Sequence, residues 1–376
     1  MDEITSVYGD LRGRVGPDAA QTYALDARLY TDPAIAEAER ENIFFKTWRW
    51  VCHSSELAKP GSYVAIEIFD QPVVVVRGAD DIIRAFYNVC SHRGHELLKG
   101  RGTVNTKTIT CPYHAWAYRL DGSLRAARGS EKVEAFDATE FALREVRVEK
   151  FAEFIFVNLD ADAVPLAEQA PDLLADIESF APDLDQLTHA HRITYRMEAN
   201  WKVVVDNFLE CYHCPVAHPA FVDLVDMESY RVRTFSIWSS HHAGVFIQDN
   251  PAYDVKGATV QNHAVWWLWP NMCFLRFPGS GNMMVLHIMP DGAGGTFETY
   301  DFYFEAPEPT AQQWDAIKYV DDVLQPEDIV IVESVQRGLH TRGYRPGRLI
   351  VDPERSEISE HGLHHFHSLI LDALGG

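Results

Sequence analysis

The 376-residue sequence lacks the features that mark several large classes of protein. No uninterrupted apolar stretch is long enough to cross a bilayer, and the N-terminus, Met-Asp-Glu-Ile-Thr-Ser, has neither a basic leader nor an apolar run behind it. Basic charge is scarce: 33 Lys and Arg stand against 55 Asp and Glu, which gives a net charge of −22 and no basic surface for a phosphate backbone. These absences predict a cytoplasmic protein that binds neither nucleic acid nor membrane.

Cysteine is also sparse for a chain of this length. Six cysteines without a secretory leader argue against a disulfide framework and favour reduced thiols, some of them available to a metal. The six are Cys52, Cys90, Cys111, Cys211, Cys214 and Cys273.

What the sequence does contain is enough apolar residue, 47%, to build a core, and enough length for two domains. Short β-branched and aromatic runs separated by Gly, Asp and Pro predict a small, β-sandwich-like domain over 45–160. Mixed strand and helix patterns over 161–376 predict a larger domain in which helices cover an antiparallel sheet. The fold class is therefore expected to be α+β, with residues 1–44 forming an N-terminal segment that packs on the larger domain.

The β domain contains a candidate metal motif in two loops, Cys90-Ser-His92-Arg-Gly and Cys111-Pro-Tyr-His114. Two cysteines and two histidines can bind zinc or a Rieske [2Fe–2S] cluster, in which thiolates hold one iron and imidazoles the other. A zinc finger usually takes both cysteines from one arm, whereas here each arm supplies one cysteine and one histidine. The spacing therefore favours the Rieske cluster over zinc or over four unrelated buried residues.

A second metal site is predicted in the larger domain. A helix expected over 201–214 would present Asp206, Glu210 and His213 on one face. His213 and His218 lie on either side of a proline that ends or kinks this helix, so both imidazoles could reach one ion. Two imidazoles and one carboxylate are the ligands of oxygen-activating Fe(II) sites. The alternative is that both histidines are ordinary buried side chains.

The carboxylate ligand is expected from a predicted helix over 327–339. Helical periodicity places Asp328 on the same inward face as Val335, while Gln336 falls on the wetter side. A charge that faces a core requires a metal or a partner. Asp328 is thus the preferred ligand, and a ligand role for Glu327 or a helix-capping role for Asp328 are the alternatives.

Both motifs together resemble those of the Rieske non-haem iron oxygenase α subunits, the ring-hydroxylating family, from about Trp48 to the C-terminus. The resemblance implies that Glu210, with Asp206 in a shared or supporting role, bridges the mononuclear iron to the cluster of a neighbouring subunit in a homotrimer. It implies these ligands: Cys90, His92, Cys111 and His114 for the [2Fe–2S] cluster, and His213, His218 and Asp328 for Fe(II).

The resemblance also implies an enzyme that uses O₂, a small-molecule substrate and electrons delivered through the cluster. No nucleotide-binding glycine motif is present, so a separate NAD(P)H-dependent flavin or ferredoxin-type reductase is expected. Trp116 and Tyr113 are expected to shield the cluster from water, although ordinary core packing would explain either residue.

For the substrate, the run from Glu210 to Pro219 looks most like the branch that oxidises quaternary ammonium compounds such as betaines, carnitine and choline. Strand alternation places Trp267 and Trp269 on one face, where two indoles could bind a trimethylammonium group or simply fill the core. Asn207 is a further candidate for the pocket.

Three functions therefore compete. The first is a monooxygenase that demethylates or hydroxylates a quaternary ammonium compound, the second hydroxylates or dihydroxylates an aromatic ring or acid, and the third only carries electrons. The pair Cys211 and Cys214 is interpreted as packing.

Overall fold

A computed structural model describes residues 14–247 and 250–375. The chain divides into two compact units, one of residues 44–168 and the other of residues 1–43 with 169–376. The first 13 residues of the expected N-terminal segment lie outside the described residues. No helix in the described ranges has the length and apolar character needed to span a membrane.

The smaller unit is built from ten strands in two antiparallel sheets. The larger sheet has the order β1-β10-β9-β4-β3-β2-β5 and the smaller one the order β6-β7-β8. The strands are β1 (Arg49–His53), β2 (Ser62–Ile68), β3 (Gln71–Arg77), β4 (Ile83–Tyr87), β5 (Arg101–Thr103), β6 (Thr108–Thr110), β7 (Ala117–Arg119), β8 (Leu124–Ala126), β9 (Glu145–Phe151) and β10 (Phe154–Asn158).

Strand β3 shows why this unit needs two apolar cores. Its four consecutive valines are all fully buried, because the strand is covered on both faces. Val74 and Val76 pack into the core that contains Cys90 and Cys111, while Val73 and Val75 pack into the core on the opposite face. The central sheet therefore supports the two cysteine-bearing loops from below.

The larger unit contains one seven-stranded antiparallel sheet of order β11-β17-β16-β15-β14-β13-β12. Its strands are β11 (Thr188–Met197), β12 (Val225–Thr234), β13 (Trp238–Val245), β14 (Asn262–Leu268), β15 (Met272–Arg276), β16 (Asn282–Pro290) and β17 (Thr296–Phe304). The α-helices of the described chain are α1 (Arg28–Thr31), α2 (Pro33–Glu39), α3 (Leu166–Gln169), α4 (Leu173–Phe180), α5 (Trp201–Phe208), α6 (Cys214–Ala217), α7 (Pro219–Leu224), α8 (Ala311–Tyr319), α9 (Gln325–Leu339) and α10 (His361–Gly375). The expected α+β class is confirmed.

Helix α5 is shorter than the sequence pattern predicts. Asn200 caps its N-terminus by accepting a hydrogen bond from Lys202 N at 3.0 Å, but the helix ends at Phe208 instead of continuing to Cys214. The reason is local: Glu210 Oε2 accepts a hydrogen bond from His213 N at 3.0 Å, so a side chain takes the place of a helical carbonyl. The placement of Glu210 and His213 on one face of a continuous helix was wrong.

The interpretation of Cys211 and Cys214 as packing alone, with reduced thiols, also needs correction. The structure joins the two residues in a disulfide across the turn that separates α5 from α6. Cys52, Cys90, Cys111 and Cys273 are free and buried.

Helices α8 and α9 form one long rod, linked by a π-helical turn over Val320–Leu324. The faces of α9 differ from the prediction. Gln336 is buried, because its side-chain oxygen accepts a hydrogen bond from Asn200 N at 2.9 Å, whereas Val335 is 46% exposed. The periodicity argument for an inward Asp328 therefore used the wrong neighbours, although Asp328 itself is only 20% exposed.

Candidate metal centres

The two cysteine-bearing loops of the smaller unit have matching backbone geometry. The carbonyl of Cys90 accepts a hydrogen bond from Gly94 N at 2.9 Å, and the carbonyl of Cys111 accepts one from Ala115 N at 3.0 Å. Both fourth residues have positive φ, 68° and 61°, a conformation that suits Gly94 and that Ala115 adopts at a cost. The loops therefore present Cys-x-His and Cys-x-x-His as a matched pair.

The two histidines lie together at the tip of these loops. The ring centroids of His92 and His114 are 4.8 Å apart, and the Trp116 ring stacks on His92 at 4.8 Å. Partial desolvation, with the charges of His92 and Arg93, lowers the pKa of His114, which favours the neutral imidazole that binds metal. Trp116 is buried, and the ring of Tyr113 lies over His114 with centroids 3.8 Å apart, although Tyr113 itself is 53% exposed.

The thiols lie deeper than the imidazoles. Cys90 and Cys111 are buried in the core, and the Tyr118 hydroxyl lies 3.1 Å from Cys90 Sγ while accepting a hydrogen bond from Ser91 N. This separation of buried sulfur from a more exposed pair of imidazoles fits an asymmetric two-iron cluster, in which sulfur and nitrogen ligate different irons. The donor set fits the cluster that the motif predicts.

The larger unit brings together the three residues predicted to bind Fe(II). One ligand atom each from His213, His218 and Asp328 lies within 4.8 Å of the others. The Nε2 atoms of the two histidines are 3.2 Å apart, and Asp328 Oδ1 is 3.0 Å from His218 Nε2 and 3.6 Å from His213 Nε2. Two imidazoles and one carboxylate converging in this way fit a 2-His-1-carboxylate iron site.

Two further carboxylates fix the orientation of the imidazoles. Glu210 Oε1 lies 2.6 Å from His213 Nδ1, and Glu327 Oε2 lies 2.7 Å from His218 Nδ1. With the proton on each Nδ1, both Nε2 lone pairs point toward Asp328. Glu327 therefore lies behind a histidine, whereas Asp328 lies among the converging atoms.

The charge on these acids also acts on His218. Burial lowers the pKa of this imidazole, but the hydrogen bonds and charges of Asp328 and Glu327 outweigh burial, so the net pKa is raised. The two acids thus create a strongly negative environment suited to a divalent cation.

Asp206 lies near this centre but is already well bonded. Its Oδ2 accepts a hydrogen bond from the Tyr30 hydroxyl at 2.6 Å, and its Oδ1 lies 2.9 Å from His367 Nε2. Asp206 and Glu210 both line a cavity that also reaches His213. Asp206 thus links α5 to the N-terminal segment and to α10, and is not a free surface carboxylate.

A cavity of about 120 Å³ opens at the three converging residues. Its lining includes Asn207, which is a candidate pocket residue, and also Glu298, a buried acid that is not among the candidates predicted from the sequence. Its aromatic walls are Phe208, Phe221, Tyr230 and Tyr300. The signal for Glu298 was present in the sequence, because strand alternation places it on the same face of β17 as Tyr300 and Phe302.

The proposed cage of Trp267 and Trp269 is wrong in its placement. The two indoles do share a face, with ring centroids 6.2 Å apart, but both pack against Phe366 of α10. His263 and Val265, on the same face of β14, line the cavity instead. The helix covers the far end of this strand, so the two tryptophans fill core.

Comparison with known families agrees with both halves of the chain. Residues 47–137 match the Rieske [2Fe-2S] domain, and residues 184–376 match the ring hydroxylating alpha subunit (catalytic domain).

Individual relatives cover nearly the whole sequence. The carnitine monooxygenase oxygenase subunit of Escherichia coli (strain K12) is 43% identical over 93% of each chain, and the chloroplastic choline monooxygenase of Beta vulgaris is 31% identical over 99% of this chain and 81% of its own. The solved structure of a quaternary ammonium Rieske monooxygenase superposes with a TM-score of 0.87 at 39% identity, covering 94% of this chain and 95% of that one. The chain therefore belongs to the Rieske ring-hydroxylating oxygenase α subunits, enzymes with a Rieske [2Fe–2S] cluster and a mononuclear non-haem iron, in the branch that includes the carnitine and choline monooxygenases.

Proposed function

We propose that this chain is the oxygenase component of a monooxygenase that oxidises a small quaternary ammonium compound. In this proposal Fe(II) is held by His213, His218 and Asp328. The cluster ligands are Cys90, His92, Cys111 and His114.

The observation that carries the substrate class is the lining of the cavity at the iron site. Four aromatic rings and a buried carboxylate contribute to it, and no Lys or Arg is among the described residues that line it. Aromatic faces attract a cation that has no N–H to donate, and acids add to that attraction. The relatives support the same class, since they include monooxygenases named for carnitine and choline.

The protein's own residues prepare the site for this chemistry. Glu210 and Glu327 hold the two imidazoles by their Nδ1 atoms, so that both Nε2 atoms face the metal position. Fe(II), when bound, supplies O₂ activation with two electrons that arrive through the Rieske cluster. The aromatic walls hold the substrate against this position and exclude bulk water.

Electrons have to come from a separate NAD(P)H-dependent reductase, because the sequence has no nucleotide-binding glycine motif. We further propose a homotrimer in which Glu210 and Asp206 face the cluster of a neighbouring subunit. Glu210 suits this position because it bonds His213 and also lines a cavity with Asp206. The structure of the related quaternary ammonium Rieske monooxygenase gives insight into electron transfer between its subunits, which supports this proposal.

The substrate class is tested by supplying the enzyme and a compatible reductase with NAD(P)H and two panels of compounds. The first panel contains choline, glycine betaine and carnitine, assayed for formaldehyde, trimethylamine and aldehydes. The second contains aromatic acids and arenes, assayed for hydroxylated products. Products from the first panel alone are expected, and hydroxylated arenes alone would assign the chain to the aromatic hydroxylases instead.

Two further measurements separate the two-site proposal from its alternatives. His213→Ala should retain the visible spectrum of the cluster and lose turnover, and retained turnover would contradict the assigned iron site. Light scattering of the active enzyme should give the mass of a trimer, whereas a fully active monomer would contradict transfer between subunits.

A further inference from the structure

Glu298 lies in a part of the sheet where an uncompensated charge is costly. It is on the inner strand β17, opposite Tyr195 of β11 and Ile288 of β16, and its residue surface is 2% exposed. No Lys, Arg or His of the described chain forms an ion pair with it. A carboxyl group in such a place is therefore either protonated and neutral, or ionised and paired with a cation.

The groups that hold Glu298 are neutral. Gln325 Nε2 donates a hydrogen bond to Glu298 Oε2 at 2.6 Å, and Gln325 Oε1 in turn accepts one from the Tyr300 hydroxyl. Both of these residues also line the cavity. This arrangement fixes the direction of the carboxyl group but contributes no positive charge.

The pKa of Glu298 also reflects the absence of a compensating positive charge. Burial, and after it the charge of Asp328, raises the pKa of Glu298 to about 8, against smaller lowering effects of the hydrogen bonds from Gln325 and Tyr300. The free enzyme therefore holds this acid in a state that an incoming cation can ionise.

Glu298 also lies apart from the three metal-binding candidates. In the described chain, the group of converging ligand atoms consists of His213, His218 and Asp328, without Glu298. Its place is on the wall of the cavity, with the aromatic rings of Tyr300 and Tyr230.

We propose that Glu298 is the counter-charge that selects a quaternary ammonium group in this cavity, with the aromatic walls enclosing the methyl groups. This inference rests on the proposed function. A trimethylammonium group has no N–H and cannot form a directed hydrogen bond, so it is recognised by a nearby negative charge and by aromatic faces. Glu298 is the specificity-determining residue that distinguishes such a cation from a neutral molecule of the same shape.

The test measures binding, so it needs no reductase and no turnover. Iron-loaded enzyme is titrated under anaerobic conditions with choline, glycine betaine and L-carnitine, and with 3,3-dimethylbutan-1-ol, the neutral carbon isostere of choline. The variants are Glu298→Gln, which keeps the shape and removes the charge, and Glu298→Asp, which keeps the charge. Glu305→Gln removes an exposed acid immediately after the same strand and serves as the matched control.

The wild type should prefer choline to its isostere, and Glu298→Gln should weaken choline binding roughly 10- to 100-fold while leaving the isostere within about twofold. Glu298→Asp should retain part of the preference, and Glu305→Gln should match the wild type. An unchanged affinity for choline in Glu298→Gln, an equal loss for both ligands, or a wild type that binds none of the three cations would overturn the inference. Oxidation of quaternary ammonium compounds that is indifferent to Glu298 would leave the proposed function intact, whereas charge-dependent binding without oxidation would refute that function alone.

Discussion

The pair of acids at the start of α9 leads to a prediction about iron affinity. Glu327 and Asp328 are adjacent in sequence, yet only Asp328 lies among the converging ligand atoms, while Glu327 bonds His218 Nδ1 at 2.7 Å. Replacing Glu327 by alanine should therefore keep all three ligand residues. The metal site should still weaken, because the His218 imidazole loses the hydrogen bond that orients it. Loss of a partner of this kind typically lowers metal affinity about 10- to 100-fold.

The exposure of the two supporting acids determines where in that range each variant falls. Glu327 is 34% exposed, so water can replace part of its hydrogen bond, and Glu327→Ala should lose about tenfold. Glu210 is only 12% exposed, so Glu210→Ala should lose closer to a hundredfold, or about 2.7 kcal/mol. Glu327→Gln should lose less than Glu327→Ala, because the amide oxygen still accepts a hydrogen bond from Nδ1.

The assay is competition for Fe(II) against a chelator of known affinity, with the absorption of a Co(II)-loaded sample as a second readout of ligand geometry. Asp322→Ala, which removes an exposed acid from the same helical rod, is the matched control and should bind iron as the wild type does. Wild-type affinity in Glu327→Ala, or a larger loss there than in Glu210→Ala, would refute the reasoning.

Three further predictions concern other parts of the chain. Lys202 Nζ lies 2.6 Å from Glu39 Oε1 with side-chain exposures of 0% and 1%, so Lys202→Met should lower the free energy of unfolding in urea by about 3–5 kcal/mol. The double variant with Glu39→Gln should recover much of this stability, and a loss below about 1 kcal/mol in the single variant would contradict the expectation. Tyr118→Phe removes a hydrogen bond to Cys90 Sγ that favours the reduced cluster, so a redox titration should show a potential lower by about 60 mV, and an unchanged or higher potential would argue against this role. Burial raises the pKa of Glu298, and a bound cation favours the ionised form, so the affinity of the iron-loaded enzyme for choline should rise with pH until Glu298 is fully ionised and then level off. Calorimetry in buffers of different ionisation enthalpy should detect the released proton, and an affinity that does not change between pH 6 and 8 would contradict this expectation.

The sequence was sufficient for the fold class because the signals are local and repeated. Buried valine runs such as the one in β3, and Gly, Asp and Pro between short strands, predict the β-rich unit without any tertiary information. The end of α5 could not be predicted, because the helical hydrogen bonds compete there with a hydrogen bond from a backbone N–H to a side chain. Glu210 Oε2 accepts a hydrogen bond from His213 N, and the periodicity of apolar residues carries no information about such a bond.

The site could be predicted as a set of ligands but not as an arrangement. His213, His218 and Asp328 carried recognisable chemistry and spacing, and the structure brings them together. The burial of Gln336 depends on the contact between α9 and the N-terminus of α5, whereas the positions of the two tryptophans depend on which part of the sheet α10 covers. Such long-range contacts leave no periodic signal, so periodicity alone places Gln336 on the solvent side and leaves Trp267 as a pocket candidate, whereas the structure buries both side chains.

The charges around the cavity bear on which quaternary ammonium compound it accepts. Glu298 offers a negative charge to the ammonium end, whereas the described lining contains no Lys or Arg for a carboxylate at the other end of a betaine. His263 lines the same cavity, but burial lowers its pKa to about 4, so it is neutral at pH 7. Choline and carnitine share the ammonium group and differ at the opposite end. Within the described part of the chain, discrimination between them therefore has to come from neutral donors such as Asn207 and from the length of the cavity, while the ammonium end supplies the affinity common to both.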